Sequence, residues 1–303
     1  MPPKLFTTRL ILIMGALSAA YLLVSWVLIG FRPEQLFLVI LCNLLFFASV
    51  KTRSFIMAFS VFIVYWIIFD YMKAFPNYKY HAVHVESIYN AEKSIFGITA
   101  ADGKIITPNE YWQLHRYTFL DFMAGIFYLC WIPVPLLFAS WLYIKNRRRF
   151  FYFAFTFLLV NLLGFVIYYI YPAAPPWYVS NYGFSFNANT PGNTAGLARF
   201  DELVHTPVFK SLYARGSNIF AAMPSLHSAY PVIVFYHAIK NKLRYMKFVF
   251  AIVMGGIWFS AVYANHHYVL DVIAGILCAI LGIWLFNLLG NKLLPEKKPE
   301  QVS

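Results

Sequence analysis

Hydrophobic residues occur along the chain in long runs, and short polar or charged stretches separate these runs. A helix needs about 20 apolar residues to cross roughly 30 Å of hydrocarbon. The run lengths predict eight membrane-crossing helices, of which the second and the sixth are short. The pattern therefore predicts an all-α, polytopic membrane helix bundle. The approximate bounds of the eight runs are 10–30, 35–50, 55–74, 122–144, 150–171, 224–239, 247–264 and 267–290.

Composition supports a membrane protein. The 303 residues are 61% hydrophobic and 12% charged, whereas soluble globular domains are about 45–50% apolar and about 25% charged. These values exclude an ordinary soluble protein, and an aromatic content of 20% excludes a disordered or fibrous chain. Cys42, Cys130 and Cys278 all lie in apolar runs, which argues against a disulfide framework and against a cysteine-based metal site.

The domain organisation predicted from the sequence is simple. The first run follows Lys4 and Arg9 as a signal peptide does, but no small-residue cleavage pattern closes it, so we interpret it as a retained helix. The sequence contains no repeat at a fixed spacing and no long Gly/Ser linker. We therefore expect a single transmembrane domain over 1–303, with a catalytic core at about 150–290.

Positive charge is unevenly distributed between the two sides of the predicted bundle. With the N-terminus inside and eight crossings, both termini are cytoplasmic, and 15 of the 24 Lys and Arg residues fall on the inner side with two acidic residues. The positive-inside rule thus accounts for the net charge of +12 without a nucleic-acid partner. The two long polar stretches, about 75–121 and 172–223, fall on the outer side, where we expect a helical and irregular cap.

Two helix starts at this outer face carry residues suited to chemistry. Pro224 and Ser225 open the sixth helix, where a hydroxyl beside free backbone N–H groups forms a natural phosphate cradle, and His227 follows. At the start of the eighth helix, His267 and Asp271 are four residues apart and share one face. A carboxylate there fixes the imidazole tautomer and raises its basicity. An Asp in a membrane segment is costly unless paired, which favours a functional role.

Simpler interpretations stay open at this point. Ser225 could equally serve only as a helix cap. The pair of His267 and Asp271 could be a polar clamp between helices or part of a proton path. Three His and one Asp would also suit zinc. The rest of the sequence offers no further pair of inward-facing residues at metal-ligand spacing. We therefore expect no metal and no cofactor.

The sequence around both helix starts resembles the type 2 phosphatidic acid phosphatase superfamily. Residues 224–227 read Pro-Ser-Leu-His, similar to the second motif of that family, and residues 260–271 have the Ser, His and Asp spacing of the third motif. In that family the third-motif His is the nucleophile that takes the phosphoryl group, the Asp activates it, and the second-motif His protonates the leaving group. The resemblance implies these catalytic roles for His267, Asp271 and His227.

Two departures from the phosphatase pattern resemble one branch of the superfamily. Ala261 stands where the phosphatases carry an Arg, and the first motif, a Lys followed after six residues by Arg-Pro, is absent. Both departures resemble the inositol phosphorylceramide synthase branch. That branch also shares Ala-Pro-Pro-Trp-Tyr at 174–178, Gly-Leu-Ala-Arg at 196–199, Pro-Ser-Leu-His-Ser at 224–228 and His-His-Tyr at 266–268.

The resemblance implies a head-group transferase. Such an enzyme moves phosphoinositol from phosphatidylinositol to a ceramide-type lipid through a phosphohistidine, so its partners are membrane lipids. Because the usual arginines are absent, Arg199 is our candidate for the phosphate charge, and the alternative for it is an ion pair with Asp201. The predicted substrate-binding residues are Arg199, Ser225, His266 and Tyr178.

Two other functions remain open. In a lipid phosphate phosphatase of the same superfamily, water replaces the acceptor alcohol at the same residues. In a non-enzymatic membrane transporter, the His and Asp side chains carry protons, which predicts polar residues in the middle of several helices, and the predicted helices contain few. A compact chain with small loops favours a bacterial inner membrane over a Golgi membrane, with the active site facing the periplasm or lumen.

Overall fold

The computed structural model describes residues 5–214 and 218–293. Proximity of Cα atoms divides the chain into two compact units, Met1–Pro76 and Asn77–Ser303. The family-specific segments singled out in the sequence all fall in the second unit. The expectation of one transmembrane domain over 1–303 stays a prediction.

The first unit is built from three apolar helices that contact one another. Polar side chains within them pair with each other: Asn43 Nδ2 donates to the Ser18 hydroxyl at 2.9 Å, and the hydroxyls of Ser25 and Tyr71 lie 2.9 Å apart. Such pairing is needed because hydrocarbon offers no hydrogen-bond partners. The three helices are α1 (Thr8–Ile29), α2 (Pro33–Ala48) and α3 (Val50–Tyr71).

The second unit combines long apolar helices with short helices in the polar stretches between them. In the described residues it also has a two-stranded antiparallel sheet, β1 (Ile98–Thr99) and β2 (Ile105–Ile106). The helices are α4 (Glu86–Phe96), α5 (Pro108–Leu114), α6 (Thr118–Leu129), α7 (Pro133–Lys145), α8 (Arg147–Ile170), α9 (Pro176–Tyr182), α10 (Ala198–Leu203), α11 (Val208–Tyr213), α12 (Leu226–Lys240), α13 (Met246–Tyr263) and α14 (Val269–Leu293).

All eight predicted hydrophobic runs coincide with helices, so the all-α membrane bundle is confirmed. Across the described residues, six spans are long and apolar enough to cross a membrane, and α2 and α12 are shorter. The protein is therefore an integral membrane protein with several spans. Eight crossings and cytoplasmic termini stay predictions, and the terminal residues 1–4 and 294–303 lie outside the described residues.

The fourth predicted run is divided in the structure. The sequence predicts one helix over 122–144, but α6 ends at Leu129 and α7 begins at Pro133. Proline fixes its φ angle and has no backbone N–H, so it starts a helix more readily than it continues one. The run still forms one candidate membrane span, Thr118–Lys145, and the turn within it places Tyr128 and Trp131 beside the site described below.

The short helix α12 lies among other helices of its unit. It contacts α7, α8, α13 and α14, and its buried residues lie on more than one face. Because a helix surrounded in this way contacts protein and not lipid, it can be shorter and less hydrophobic than a lipid-facing span. This position also brings the N-terminus of α12 against the N-terminus of α14.

Candidate active site

A tight turn connects α13 to α14 and presents two adjacent histidines. Asn265 has a φ of +61°, a left-handed conformation that Asn adopts more readily than most residues. The backbone N–H groups of His266 and His267 both donate to the carbonyl of Ala261, at 3.0 and 2.9 Å. Ala261 is completely buried and belongs to a hydrophobic cluster that also contains Tyr128 and Phe200.

The structure brings His267 and Asp271 together across the first turn of α14. His267 Nδ1 and Asp271 Oδ2 are 3.5 Å apart, and the Asp271 carboxylate is completely buried. Its Oδ2 also accepts the backbone N–H of Tyr268 at 2.9 Å. Catalytic hydrogen bonds are often long without substrate and shorten in the complex. The arrangement holds Nδ1 of His267 towards a carboxylate, which directs Nε2 to the other side.

The start of α12 is joined to the start of α14 through the backbone. The Ser225 N–H donates to the carbonyl of Asp271 at 2.9 Å, and a Cβ at Gly275 would collide with the Ser225 carbonyl. The Ser225 hydroxyl accepts from the N–H and the hydroxyl of Ser228, at 3.3 and 3.1 Å. Ser225 is thus a completely buried N-cap, and its contact with substrate stays a prediction.

His227 lies directly opposite His267. Its Nδ1 is 3.1 Å from His267 Nε2 and 3.2 Å from the Tyr128 hydroxyl. The edge of Trp131 packs against the same imidazole, with ring centroids 4.5 Å apart. Two imidazole nitrogens that share one hydrogen bond form a donor and an acceptor, so one ring carries a transferable proton beside the free lone pair of the other. This pair has the composition of a nucleophile and a general acid.

His266 precedes His267 in the turn, and its side chain is hydrogen-bonded within the protein. Its Nε2 donates to the Thr194 carbonyl at 2.8 Å, and its ring stacks on Tyr128 and Tyr213. Burial, and to a smaller extent the neighbouring His267, lower the pKa of His266 to about 3. The ring is therefore neutral at physiological pH. These contacts hold the turn between α13 and α14 in place. Contact of His266 with substrate stays a prediction.

Arg199 is paired with a residue far away in sequence. Its Nε donates to Asp121 Oδ1 at 2.5 Å, and the Tyr263 hydroxyl donates to the same oxygen at 2.9 Å. Asp201, the ion-pair partner considered from the sequence, instead accepts the backbone N–H groups of Phe209 and Lys210. That alternative is wrong because the Asp201 carboxylate is used at the start of α11.

A cavity of about 670 Å³ borders Arg199. Of the predicted phosphate-binding residues, Arg199 lines this cavity, whereas Ser225 is completely buried. The polar side chains around the cavity are those of Glu110, Gln113, Arg116, Ser180, Asn181, Asn193, Arg199 and Asn265.

Tyr178 is completely buried, and its hydroxyl is used within the chain. It donates to the Ser185 carbonyl at 2.6 Å and accepts the Asn187 N–H at 2.8 Å. The ring also packs against Phe220, with centroids 5.3 Å apart. Tyr178 thus holds the loop after α9 in place. Its contact with substrate stays a prediction.

Two contacts of the site were not found from the sequence. Tyr128, whose hydroxyl reaches His227, lies in an unremarkable apolar run. Asn109 is 1% exposed, and its Nδ2 donates to the carbonyls of Val262 and His267, both at 2.9 Å. Tyr128 belongs to no local motif, and Asn109 lies within the capping pattern of α5, which gives no sign of its distant partners. Only long-range packing reveals these two contacts.

Comparison with known proteins identifies the family. The family described as the PAP2 superfamily matches residues 105–285. The phosphoinositol dihydroceramide synthase of Bacteroides thetaiotaomicron is 48% identical over 288 residues, which cover 94% of this chain and 92% of that protein. No solved structure matches the chain significantly. The family resemblance inferred from the motifs is therefore confirmed.

More distant fungal relatives match a smaller part of the chain. The inositol phosphorylceramide synthase of Candida albicans is 32% identical over 179 residues, covering 56% of this chain and 37% of that protein. The inositol phosphorylceramide synthase catalytic subunit of Saccharomyces cerevisiae is 36% identical over 119 residues, covering 38% of this chain and 29% of that protein. The similarity to fungal proteins is thus partial, whereas the bacterial relative aligns along nearly its whole length.

Proposed function

The chain belongs to the PAP2 superfamily, and on that premise we propose that it is a membrane transferase that moves phosphoinositol from phosphatidylinositol to a ceramide-type lipid. The observation that carries the proposal is the 3.1 Å contact between His227 Nδ1 and His267 Nε2, with Asp271 behind the second ring. The names of the bacterial and fungal relatives support the lipid class, since each specifies inositol and a ceramide.

In the first step of the proposed reaction, His267 Nε2 attacks the phosphorus of phosphatidylinositol. In this scheme His227 enters the step as an imidazolium, with a proton on each ring nitrogen. The bond from phosphorus to the diacylglycerol oxygen breaks, the Nδ1 proton of His227 passes to that oxygen, and His227 is left neutral. Because attack and departure take place on opposite faces of phosphorus, the contact between the two imidazoles has to open when the phosphate enters. The Tyr128 hydroxyl, 3.2 Å from His227 Nδ1, then remains as a partner for that ring.

In the second step, the acceptor alcohol attacks the phosphohistidine. His227, now neutral, takes the proton of the alcohol, the new phosphorus–oxygen bond forms, and the phosphorus–nitrogen bond to His267 breaks. The positive charge on the phosphorylated imidazole is stabilised by the buried Asp271 carboxylate, 3.5 Å from Nδ1. The enzyme returns to its initial protonation state and needs no metal or cofactor in this scheme.

The charges near the site favour a diester donor over a monoester. A phosphate monoester carries up to two negative charges, whereas a diester carries one. Arg199 shares its charge with Asp121, and Ala261 occupies the place of an Arg that the phosphatases use. Arg199 and helix N–H groups therefore suit a monoanion better than a dianion.

We further propose that the protein lies in a bacterial inner membrane, with the two helix starts facing the periplasm. The support is the excess of Lys and Arg in the loops at 145–149 and 240–247. Asn181 and Asn146 are both exposed and lie on opposite sides in this topology.

Labelling of single cysteines tests that orientation. In a chain whose three native cysteines are replaced by Ser, we expect a membrane-impermeant thiol reagent to label Asn181→Cys in intact cells. Asn146→Cys should react only after the cells are opened. The reverse pattern would show that the proposed topology is inverted.

Lipid transfer by the purified protein tests the function itself. With phosphatidylinositol and a ceramide, we expect inositol phosphorylceramide and diacylglycerol to appear in equal amounts, with little free inositol phosphate. The rate should persist in EDTA because the proposed nucleophile is an imidazole. Rapid hydrolysis of phosphatidic acid, with no effect of ceramide, would instead identify a lipid phosphatase. Complete loss of activity in EDTA that a divalent metal restores would favour a zinc site.

A further inference from the structure

The backbone at the start of α14 is held by two carboxylates. Glu92, on α4, accepts the Val269 N–H through Oε1 at 2.9 Å and the Leu270 N–H through Oε2 at 3.0 Å. The preceding N–H, that of Tyr268, donates to Asp271 Oδ2 at 2.9 Å. Three consecutive N–H groups at the helix start therefore have carboxylate acceptors, and Glu92 provides two of them from a separate helix.

This contact bears directly on the geometry of the two catalytic groups in α14 and its preceding turn. The first N–H groups of a helix have no partner within the helix, so an external acceptor determines how firmly the first turn is held. Val269 and Leu270 lie between His267 and Asp271 in the chain. A change in their backbone position changes the distance between His267 Nδ1 and Asp271 Oδ2, which is 3.5 Å in the structure.

Glu92 occupies an unfavourable environment. It is completely buried, and burial raises its pKa to about 7, to which the neighbouring charge of Asp271 contributes while the two backbone hydrogen bonds lower it. An isolated carboxylate in such a place is expensive to bury unless its hydrogen bonds compensate. Side chains that violate the ordinary rules of burial tend to occur at functional sites.

We propose that Glu92 is a positioning residue that fixes the first turn of α14 and thereby holds Asp271 and His267 in their reactive arrangement. The inference rests on the proposed catalytic roles of these two residues. In this proposal Glu92 acts through the backbone of Val269 and Leu270, whose N–H groups it accepts.

Glu92→Gln tests this role because it keeps the side-chain volume but replaces one acceptor oxygen by an NH₂ donor. The new NH₂ group then faces the backbone N–H of Val269 or Leu270 and cannot accept a hydrogen bond from it. Since displacements of about 1 Å at a catalytic group lower rates by up to about 100-fold, we expect kcat for transfer to fall about 10- to 100-fold. KM for the donor lipid should stay within about twofold. If Glu92→Gln does not fold, Glu92→Asp keeps the charge and withdraws the oxygens, and the same loss of kcat is expected.

Asp201 provides the matched control. Its two carboxylate oxygens also accept consecutive backbone N–H groups, those of Phe209 and Lys210 at 2.9 and 2.8 Å, at the start of α11. That helix start carries none of the proposed catalytic residues. Asp201→Asn is expected to keep kcat within about twofold, and the melting temperatures of the two variants are measured alongside. An equal loss of kcat in both variants would overturn the proposal, because the effect would then follow stability alone.

A second readout does not depend on which lipid reacts. With nitrogen-15 histidine, NMR reports whether the proton of His267 sits on Nδ1, facing Asp271, and His267→Gln identifies the signal. We expect one tautomer in the unmodified protein and a mixture in Glu92→Gln. An unchanged tautomer would refute the positioning role even if transfer fell. A mixed tautomer in a protein that makes no inositol phosphorylceramide would support Glu92 and reject the proposed function.

Discussion

His267→Gln is expected to abolish transfer of the phosphoinositol group. The glutamine side chain keeps a hydrogen-bonding group near the position of the imidazole but has no basic nitrogen to attack phosphorus. Removal of a covalent nucleophile typically lowers kcat by about 10⁴-fold or more. The measurement is the formation of inositol phosphorylceramide from head-group-labelled phosphatidylinositol, with the melting temperature as a check that the variant is folded.

A matched substitution and a trapping experiment sharpen this result. His115 is exposed at the end of α5, so His115→Gln should keep the full rate. Without an acceptor lipid, the unmodified protein should retain acid-labile head-group label and release diacylglycerol, whereas His267→Gln should do neither. Label bound to His267→Gln at the level of the unmodified protein would show that another residue carries the phosphoryl group.

The membrane helices could be predicted because their signal is local. Each apolar run of sufficient length has to satisfy its own backbone in lipid, and a helix does so within the segment. The same local logic paired His267 with Asp271, since a separation of four residues puts both on one side of a helix start. Run length alone located the span Thr118–Lys145 but did not reveal the turn between α6 and α7 inside it.

The partners of the predicted site residues could not be obtained in this way. The sequence offered Asp201 as a partner for Arg199, only two residues away, but the structure pairs Arg199 with Asp121 on α6. Which carboxylate is nearer depends on how α10 packs against α6. Ser225 and Tyr178 show a related limit, because a hydroxyl in a motif does not reveal whether the chain itself uses it.

Residues outside the motifs determine much of the site. Tyr128, Asn109 and Glu92 lie on three helices upstream of the predicted core at about 150–290. Tyr128 contacts His227, and the other two contact the backbone at or near His267. Each makes its contact through an ordinary hydrogen bond to a group distant in sequence, and no spacing rule connects such pairs. The motifs thus locate the reacting groups, whereas the residues that hold them emerge only from the packing of α4, α5 and α6.

His227→Asn is expected to separate the two roles of the imidazole opposite the nucleophile. An Asn amide takes a position close to that of Nδ1 and preserves a hydrogen bond to His267, but its N–H protons are too weakly acidic to be transferred. With phosphatidylinositol as donor, the departing alkoxide then leaves without a proton, and the rate should fall about 10²- to 10⁴-fold, the usual contribution of a general acid. The assay is diacylglycerol release, with Tyr128 and Trp131 left in place to keep the pocket intact.

A donor with a better leaving group shows whether proton donation is the cause. para-Nitrophenol leaves as a stable anion, so an inositol phosphodiester of para-nitrophenol needs no general acid in the first step. His227→Asn should release about one equivalent of nitrophenol per protein rapidly and then nearly stop, because attack by the acceptor alcohol still requires His227 as base. The phosphohistidine at His267 should accumulate during this pause. An equal loss of rate with both donors would instead assign His227 to substrate binding, since the acidity of the leaving group would then have no influence on the defect.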